Sequence, residues 1–318
     1  MNKQKKATPA PTRIADSISG QKERITLGNS EIIVVRPNQG ERLNIDRELL
    51  GDHYDRQTDF GLAVIDLGDH LESMKGLVIP EEERWGTKNL PSKVSLVPND
   101  SAMDEITIIA NDPNAYSDSE LQEEYGNNLE TVMKGIKESG KLNSNAVRVA
   151  IKRAGVVAAK MLHEEDNALA FEAKRLPIKT GGLAVGIEDE DGVLTPENLD
   201  GKDIEIDEVF LASGSTLIAF MLELDSREIK PKSITVVAPF TTQQGAQAML
   251  DVSISLGWET KIVASRIYYV LNDDLYVMVT PEEEVWEKVT KGDLEKPVQA
   301  GGDAGDLTER RRKKKRVR

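Results

Sequence analysis

The strongest constraint on the fold is an alternation of segment types between residues 146 and 264. Apolar, β-rich runs at 146–151, 183–187, 204–211, 233–238 and 261–264 are separated by helix-like stretches at 156–163, 217–224 and 243–255. Strands alternating with helices predict crossover connections. The expected fold is α/β, a doubly wound and mostly parallel sheet covered on both faces. Upstream, Ser117 and Glu120 have capping-box spacing, and Leu121, Tyr125, Leu129, Val132 and Ile136 recur at i+3/i+4 before Gly140. That pattern predicts one more helix.

Composition removes several chemistries. The chain has 318 residues, three His and no Cys. Without Cys there is no disulfide scaffold, zinc ribbon, thiol redox pair or Cys nucleophile. The longest apolar stretch, 209–224, is broken by Ser213, Gly214, Ser215 and Thr216 and is shorter than the ~20 residues of a spanning helix. Residues 1–13 are polar and Pro-containing, without the apolar core of a secretory signal. A cytoplasmic protein with no membrane partner is the expectation.

Charge is unevenly placed. Arg310, Arg311, Arg312, Lys313, Lys314, Lys315, Arg316 and Arg318 crowd the end, leaving 33 basic against 55 acidic residues elsewhere, a net −22. Such a body repels polyanions over its general surface. The tail at 309–318 reads either as a solvated terminus or as a contact for an acidic partner or nucleic acid through counterion release.

Residues 1–25 are rich in Lys, Pro, Ser and Thr and read as a disordered N-terminus. Residues 26–110 form an extension of β character and unassigned topology, with a strand or hairpin at 26–35 ending before Pro37. Gly-Asp-His occurs at 51–53 and 68–70, near Asp55 and Asp66. Two His without Cys fall short of a metal-ligand set, so these segments are read as turns. His163, beside Glu164, Glu165 and Asp166, reads as a surface histidine.

The segment richest in chemistry is Ile206-Asp207-Glu208-Val209-Phe210-Leu211-Ala212-Ser213-Gly214-Ser215-Thr216. A strand carrying two carboxylates runs into a small, hydroxyl-bearing turn that opens an apolar helix. Free N–H groups and the helix dipole there suit a phosphate, and Gly214 allows close approach. Asp207 and Glu208 can accept hydrogen bonds from a sugar diol or hold water on Mg²⁺. A plain strand–turn–helix junction with Ser/Thr capping accounts for the same residues.

This segment resembles the phosphoribosyl-pyrophosphate motif of the phosphoribosyltransferases, in detail that of uracil phosphoribosyltransferase. Glu208 takes the acidic position, and Ser213-Gly214-Ser215-Thr216 stands where that family has Thr-Gly-Gly-Ser. Three further stretches are similar in order along the chain: Arg153-Ala154-Gly155, Leu271-Asn272 with Tyr276-Val277, and Gly302-Asp303-Ala304-Gly305-Asp306. The resemblance covers about 111–308. It implies a type I phosphoribosyltransferase-like fold, usually dimeric, in which a nucleobase nitrogen displaces pyrophosphate from C1 of phosphoribosyl pyrophosphate with Mg²⁺ present. It also implies roles. Ala212, Ser213, Gly214, Ser215 and Thr216 bind the 5-phosphate, and Glu208 with Asp207 holds the ribose hydroxyls. Arg153, Ala154 and Gly155 take the pyrophosphate; Tyr276, Gly301 and Gly302 flank the base; Asp303 positions the donor, through metal or water.

The chain departs from that pattern. Glu188-Asp189 stands where the family has Tyr-Arg, and residues 281–300 form an acidic insertion. Carboxylates facing pyrophosphate would weaken its binding. A non-catalytic protein of the same fold, sensing nucleotides or serving assembly, is the alternative. A dinucleotide site at Gly181-Gly182-x-x-x-Gly186 fails on spacing, and no Gly-x-x-x-x-Gly-Lys-Ser/Thr loop is present.

Overall fold

The structure is a computed structural model and describes residues 20–37, 63–86, 89–111, 121–152, 154–163, 168–177, 183–189 and 192–271, with Ala15 and Leu275. The chain begins with a hairpin, β1 (Gly20–Leu27) and β2 (Ser30–Pro37), in register from Leu27↔Ser30 to Gly20↔Pro37. Gly28, at φ +57°, supplies the left-handed residue of the two-residue turn. Residues 20–25, expected to be disordered, are therefore a strand.

Beyond β3 (Val64–Asp66), the main sheet takes in β4 (Val94–Leu96), β5 (Val147–Ile151), β6 (Leu169–Pro177) and β7 (Leu183–Glu188). It is completed by β8 (Asp203–Asp207), β10 (Ser233–Val237) and β12 (Thr260–Ala264). Among the described residues its ten strands lie in the order β1-β2-β3-β7-β6-β5-β8-β10-β12-β4. From β6 to β4 every pairing is parallel; β7, β3, β2 and β1 add antiparallel strands at the other side. The expected α/β, mostly parallel sheet is thus observed. Residues 26–110 contribute to both edges, since β1–β3 close one side and β4 pairs with β12 on the other.

The expected strand at 204–211 is broken. After Glu208-Val209 the chain resumes as β9 (Phe210–Leu211), and the neighbours likewise resume as β11 (Phe240–Thr242) and β13 (Arg266–Tyr268). These short strands form a second parallel sheet in the order β13-β11-β9. Phe210, Phe240 and Tyr268 stack across it, with centroids 4.4 and 6.1 Å apart. Stacked aromatics strengthen cross-strand pairs that would otherwise be too short to hold.

Helices cover both faces. On one lie α2 (Asp100–Asn111), α3 (Gly126–Glu138) and α4 (Ala154–His163). Leu129, Val132 and Ile136 of α3 are buried with Met103, Ala158 and Leu162, as the i+3/i+4 spacing requires. Ser117 and Glu120 lie outside the described residues. On the other face α6 (Ser215–Ser226) packs against α7 (Gln243–Ser255) and against β6 and β7. Phe220 of α6 stacks on Phe171 of β6 at 4.6 Å. Among the described residues the remaining helical segments are short: α1 (Gly68–Met74), α5 (Pro196–Leu199), a 3-10 turn at Glu81–Glu83 and a π-helical turn at Leu121–Tyr125 that leads into α3. Gly68-Asp69-His70, read as a turn, opens α1, and His70 is buried. Among the described residues no helix is long and apolar enough to cross a membrane.

Candidate functional site

Strand order locates a topological switch point. From β5 the chain crosses through α4 to β6 on one side; from β8 it crosses through α6 to β10 on the other. The two crossover helices cover opposite faces, so the carboxyl ends of β5 and β8 diverge. In open α/β sheets such a switch point is where ligands bind. Lys152 and Ala154-Gly155 follow β5, and Glu208 with the 212–216 turn follows β8. Two of the sequence motifs, Ala154-Gly155 and Glu208 with the 212–216 turn, thus follow paired strands.

Gly155 shows how closely. A Cβ there would lie 2.3 Å from the Asp207 carbonyl oxygen, so the first turn of α4 rests on the end of β8. Gly214, at φ +77°, precedes α6 in a left-handed conformation. It faces Gly245 of α7, where a Cβ would lie 2.0 Å from Ala212 O. The N-terminal turns of α6 and α7 therefore touch through backbone alone.

Access to the turn is restricted. Ser213 and Ser215 are buried, at 3% and 2% exposure. The Ser213 hydroxyl donates to Ser215 Oγ at 3.2 Å and accepts from Ser215 N at 3.4 Å. Ala212, Thr216 and Glu208 are half-buried, and Glu208 Oε1 accepts from Val209 N at 2.8 Å. Part of the cover comes from residues 63–86. His70 approaches the Ser213 backbone and stands 3.5 Å from Ser30 Oγ. Burial lowers the His70 pKa, and the nearby Ser213 backbone only partly opposes it. Gln243 and Gln244, opening α7, donate to Glu83 O (2.8 Å) and Tyr269 O (2.9 Å).

Asp207 does not face the crevice. β8 reads Asp-Ile-Glu-Ile-Asp, and period two sends Ile204 and Ile206 to the α6 side and Glu205 and Asp207 to the α4 side. Both carboxylates are fully buried. There they meet His163, which is not a surface histidine. Its Nε2 stands 2.6 Å from Glu205 Oε1 and 3.8 Å from Asp207 Oδ2, with the ring nine-tenths buried. Among the described residues, no hydrogen bond of ordinary geometry reaches His163 Nε2 or any carboxylate oxygen of Glu205 and Asp207. Desolvation, reinforced by the negative charge of Glu205, holds the Asp207 carboxyl well above the usual range; Arg148 acts weakly the other way. The Asp207 side chain lies beneath α4, on the side of His163.

Asp189, expected to repel pyrophosphate, is occupied otherwise. Its carboxylate accepts from Val193 N (2.7 Å), Leu194 N (3.0 Å) and Arg227 Nη1 (3.1 Å). Arg227 also donates to Glu223 Oε1 at 2.7 Å and to Leu194 O at 3.0 Å. The charge is neutralised within a structural network. Arg153, Tyr276, Gly301, Gly302 and Asp303, the 281–300 insertion and the basic tail lie outside the described residues.

Sequence reasoning missed Glu205 and misplaced His163. A signal existed: a strand covered on both faces should read as continuously apolar, yet Ile-Glu-Ile-Asp places two carboxylates on one face.

No family model matches the chain, and no curated protein does. Several solved structures are similar to it. The AQ2163 protein of Aquifex aeolicus is 17% identical over 58% of this chain and 91% of its own, with a TM-score of 0.41. The Giardia lamblia APRTase complexed with 9-deazaadenine is 14% identical over 45% and 80%, TM-score 0.31. A hypothetical protein from Neisseria gonorrhoeae with bound ppGpp is 17% identical over 44% and 79%, TM-score 0.32. At such identities and scores, function has to be read from this chain's own residues.

Proposed function

We propose that the chain binds phosphoribosyl pyrophosphate, as its Mg²⁺ salt, at the carboxyl ends of β5 and β8, and transfers phosphoribosyl to uracil or another nucleobase. The supporting observation is that the first turn of α4, Ala154-Gly155, and Glu208 with the 212–216 turn follow the paired strands β5 and β8, where the crossovers of the described residues diverge. The amino end of α6 offers the backbone N–H groups of Ala212, Gly214 and Thr216, and the Thr216 hydroxyl, to a 5-phosphate. Glu208, half-buried at the end of β8, serves the ribose diol in this reading, and Ala154-Gly155 with Arg153 the pyrophosphate. The N–C1 bond forms as the C1–O bond breaks, and the electron pair leaves on pyrophosphate. Orientation and electrostatics suffice for this, without a protein nucleophile. Tyr276, Gly301, Gly302 and Asp303 complete the base side in this reading.

His163, Glu205 and Asp207 do not fit the donor's Mg²⁺. They lie sealed beneath α4 and include an imidazole, whereas Mg²⁺ keeps several waters and oxygen ligands. No step is assigned to them.

Burial of Ser213, Ser215 and Asp207 favours a second reading, a nucleotide-sensing or assembly protein that keeps the fold without turnover. Calorimetric titration with phosphoribosyl pyrophosphate and Mg²⁺, followed by chromatography of nucleotides formed from uracil, other pyrimidines and purines, separates the two. Binding with product supports transfer; binding without product supports sensing; no binding refutes the crevice. Glu208→Gln and Thr216→Ala are the variants of choice, since each changes a half-buried side chain. Both should weaken donor binding roughly tenfold, about the 1.4 kcal/mol of one hydrogen bond to a charged group. Gly214→Val is unsuitable: its φ disfavours a branched side chain, and a Cβ would meet the Gly245 carbonyl oxygen at 2.8 Å, so the fold itself would be strained.

A further inference from the structure

We infer that His163, Glu205 and Asp207 form a buried binding site for one divalent transition-metal ion, Zn²⁺ or Mn²⁺. The inference is independent of the crevice reading. Each residue offers a ligand atom, and these atoms lie within 4.8 Å of one another. The His163 Nε2 separations, 2.6 and 3.8 Å, bracket the ~3.3 Å between ligands on a tetrahedral ion with bonds of about 2.0–2.1 Å.

Two carboxyl groups lie side by side at zero exposure, with His163 Nε2 2.6 Å from one of them and no hydrogen bond of ordinary geometry on their oxygens among the described residues. Buried polar groups are satisfied in native proteins, and buried charges are paired or coordinate metals. One divalent ion balances both carboxylates and takes the free Nε2 lone pair in a single step. Imidazole with carboxylate suits Zn²⁺ or Mn²⁺ better than Mg²⁺ or Ca²⁺. The ligands join two elements, since His163 ends α4 while Glu205 and Asp207 belong to β8. Bound metal therefore pins the helix whose other end, Ala154-Gly155, lines the crevice.

The test uses full-length protein dialysed against chelator, then titrated with Zn²⁺, Mn²⁺ and Mg²⁺. The chain contains three His, so ¹⁵N-histidine NMR resolves them individually. One equivalent of Zn²⁺ should shift the Nε2 of a single histidine and raise the Tm, and Mg²⁺ should do neither. His163→Ala should abolish that shift. Glu205→Gln/Asp207→Asn keeps the packing volume and should lower Zn²⁺ affinity at least 100-fold; it is the variant to use if His163→Ala does not fold. Co²⁺ should give visible d–d absorption in the wild type and not in that double variant. A wild-type spectrum unchanged by Zn²⁺, a shift confined to another histidine, or undiminished affinity in the double variant would overturn the site.

Discussion

Gly155 offers the sharpest test of how α4 sits on the sheet. Replacing it with Ala places a Cβ 2.3 Å from the Asp207 carbonyl oxygen and 3.4 Å from Ile151 Cβ. The obstructing atom is backbone in a central strand, so it cannot swing aside. Restoring an ordinary contact requires α4 to withdraw by about 1 Å. Overpacking of this kind costs about 1–3 kcal/mol, offset by up to ~1 kcal/mol from the backbone entropy gained on replacing Gly. Against an unyielding backbone atom the cost falls at the upper end, about 3 kcal/mol, so a net loss of about 2–3 kcal/mol remains, which at ~2–4 °C per kcal/mol lowers Tm by roughly 4–12 °C. Gly135→Ala is the control: it sits inside α3 and its Cβ would meet only Asn99 Nδ2, at 3.9 Å. There the same substitution should stabilise by ~0.5–1 kcal/mol. Urea and thermal unfolding of both variants decide the matter. A Gly155→Ala protein as stable as the wild type would refute the close approach of α4 to β8.

Two other perturbations have definite signs. Arg227→Ala removes the partner of Glu223 and Asp189, whose side chains are 0% and 5% exposed, and should lower unfolding free energy in urea by about 3 kcal/mol; Arg227→Lys should recover only part, lacking the guanidinium fork. His70 has a folded pKa below its ordinary 6.5, so the unfolded chain binds the proton more readily. Its contribution is present above pH 6.5 and is lost as pH falls toward the folded value, by at most ~1.4 kcal/mol per unit. His70→Gln should remove that increment, and a stability difference between variant and wild type that is constant from pH 5 to 8 would contradict it.

What the sequence disclosed follows from where the information sits. The alternation at 146–264 encodes crossovers locally, and the sheet obeys it. The helix at Gln243–Ser255 and the strand at Ser233–Val237 match their patterns because each carries apolar residues at its own period. β6 was invisible: Leu-Ala-Phe-Glu-Ala-Lys-Arg-Leu-Pro holds helix-favouring residues, and only pairing with β5 and β7 makes it extended. The placement of β4 beside β12 is a pairing between residues more than 160 apart, which no window reports. Asp189 misled for a related reason, since its partner Arg227 lies 38 residues away. In the candidate site, the turn at 212–216 and Ala154-Gly155 were legible as small residues at strand-to-helix junctions. The acidic centre was not, because His163 belongs to a helix whose polar flank resembles a solvated end.

The crevice loop and the acidic centre are joined by one helix, and this gives a last testable consequence. Asp207 touches α4 twice, its carbonyl against Gly155 and its carboxylate toward His163. Eight residues separate those contacts, about 12 Å of helix. A rigid rod held at both ends cannot be displaced at one without strain at the other, so the Gly155→Ala withdrawal should also spoil the His163 geometry. Ligand atoms moved by a fraction of an ångström forfeit part of the bond energy, and a coupling of ~1.4 kcal/mol weakens metal binding about tenfold. A double-mutant cycle of Gly155→Ala with Glu205→Gln/Asp207→Asn, read by unfolding with and without Zn²⁺, measures it. Zn²⁺ affinity identical in Gly155→Ala and wild type would mean that the two ends of α4 move independently.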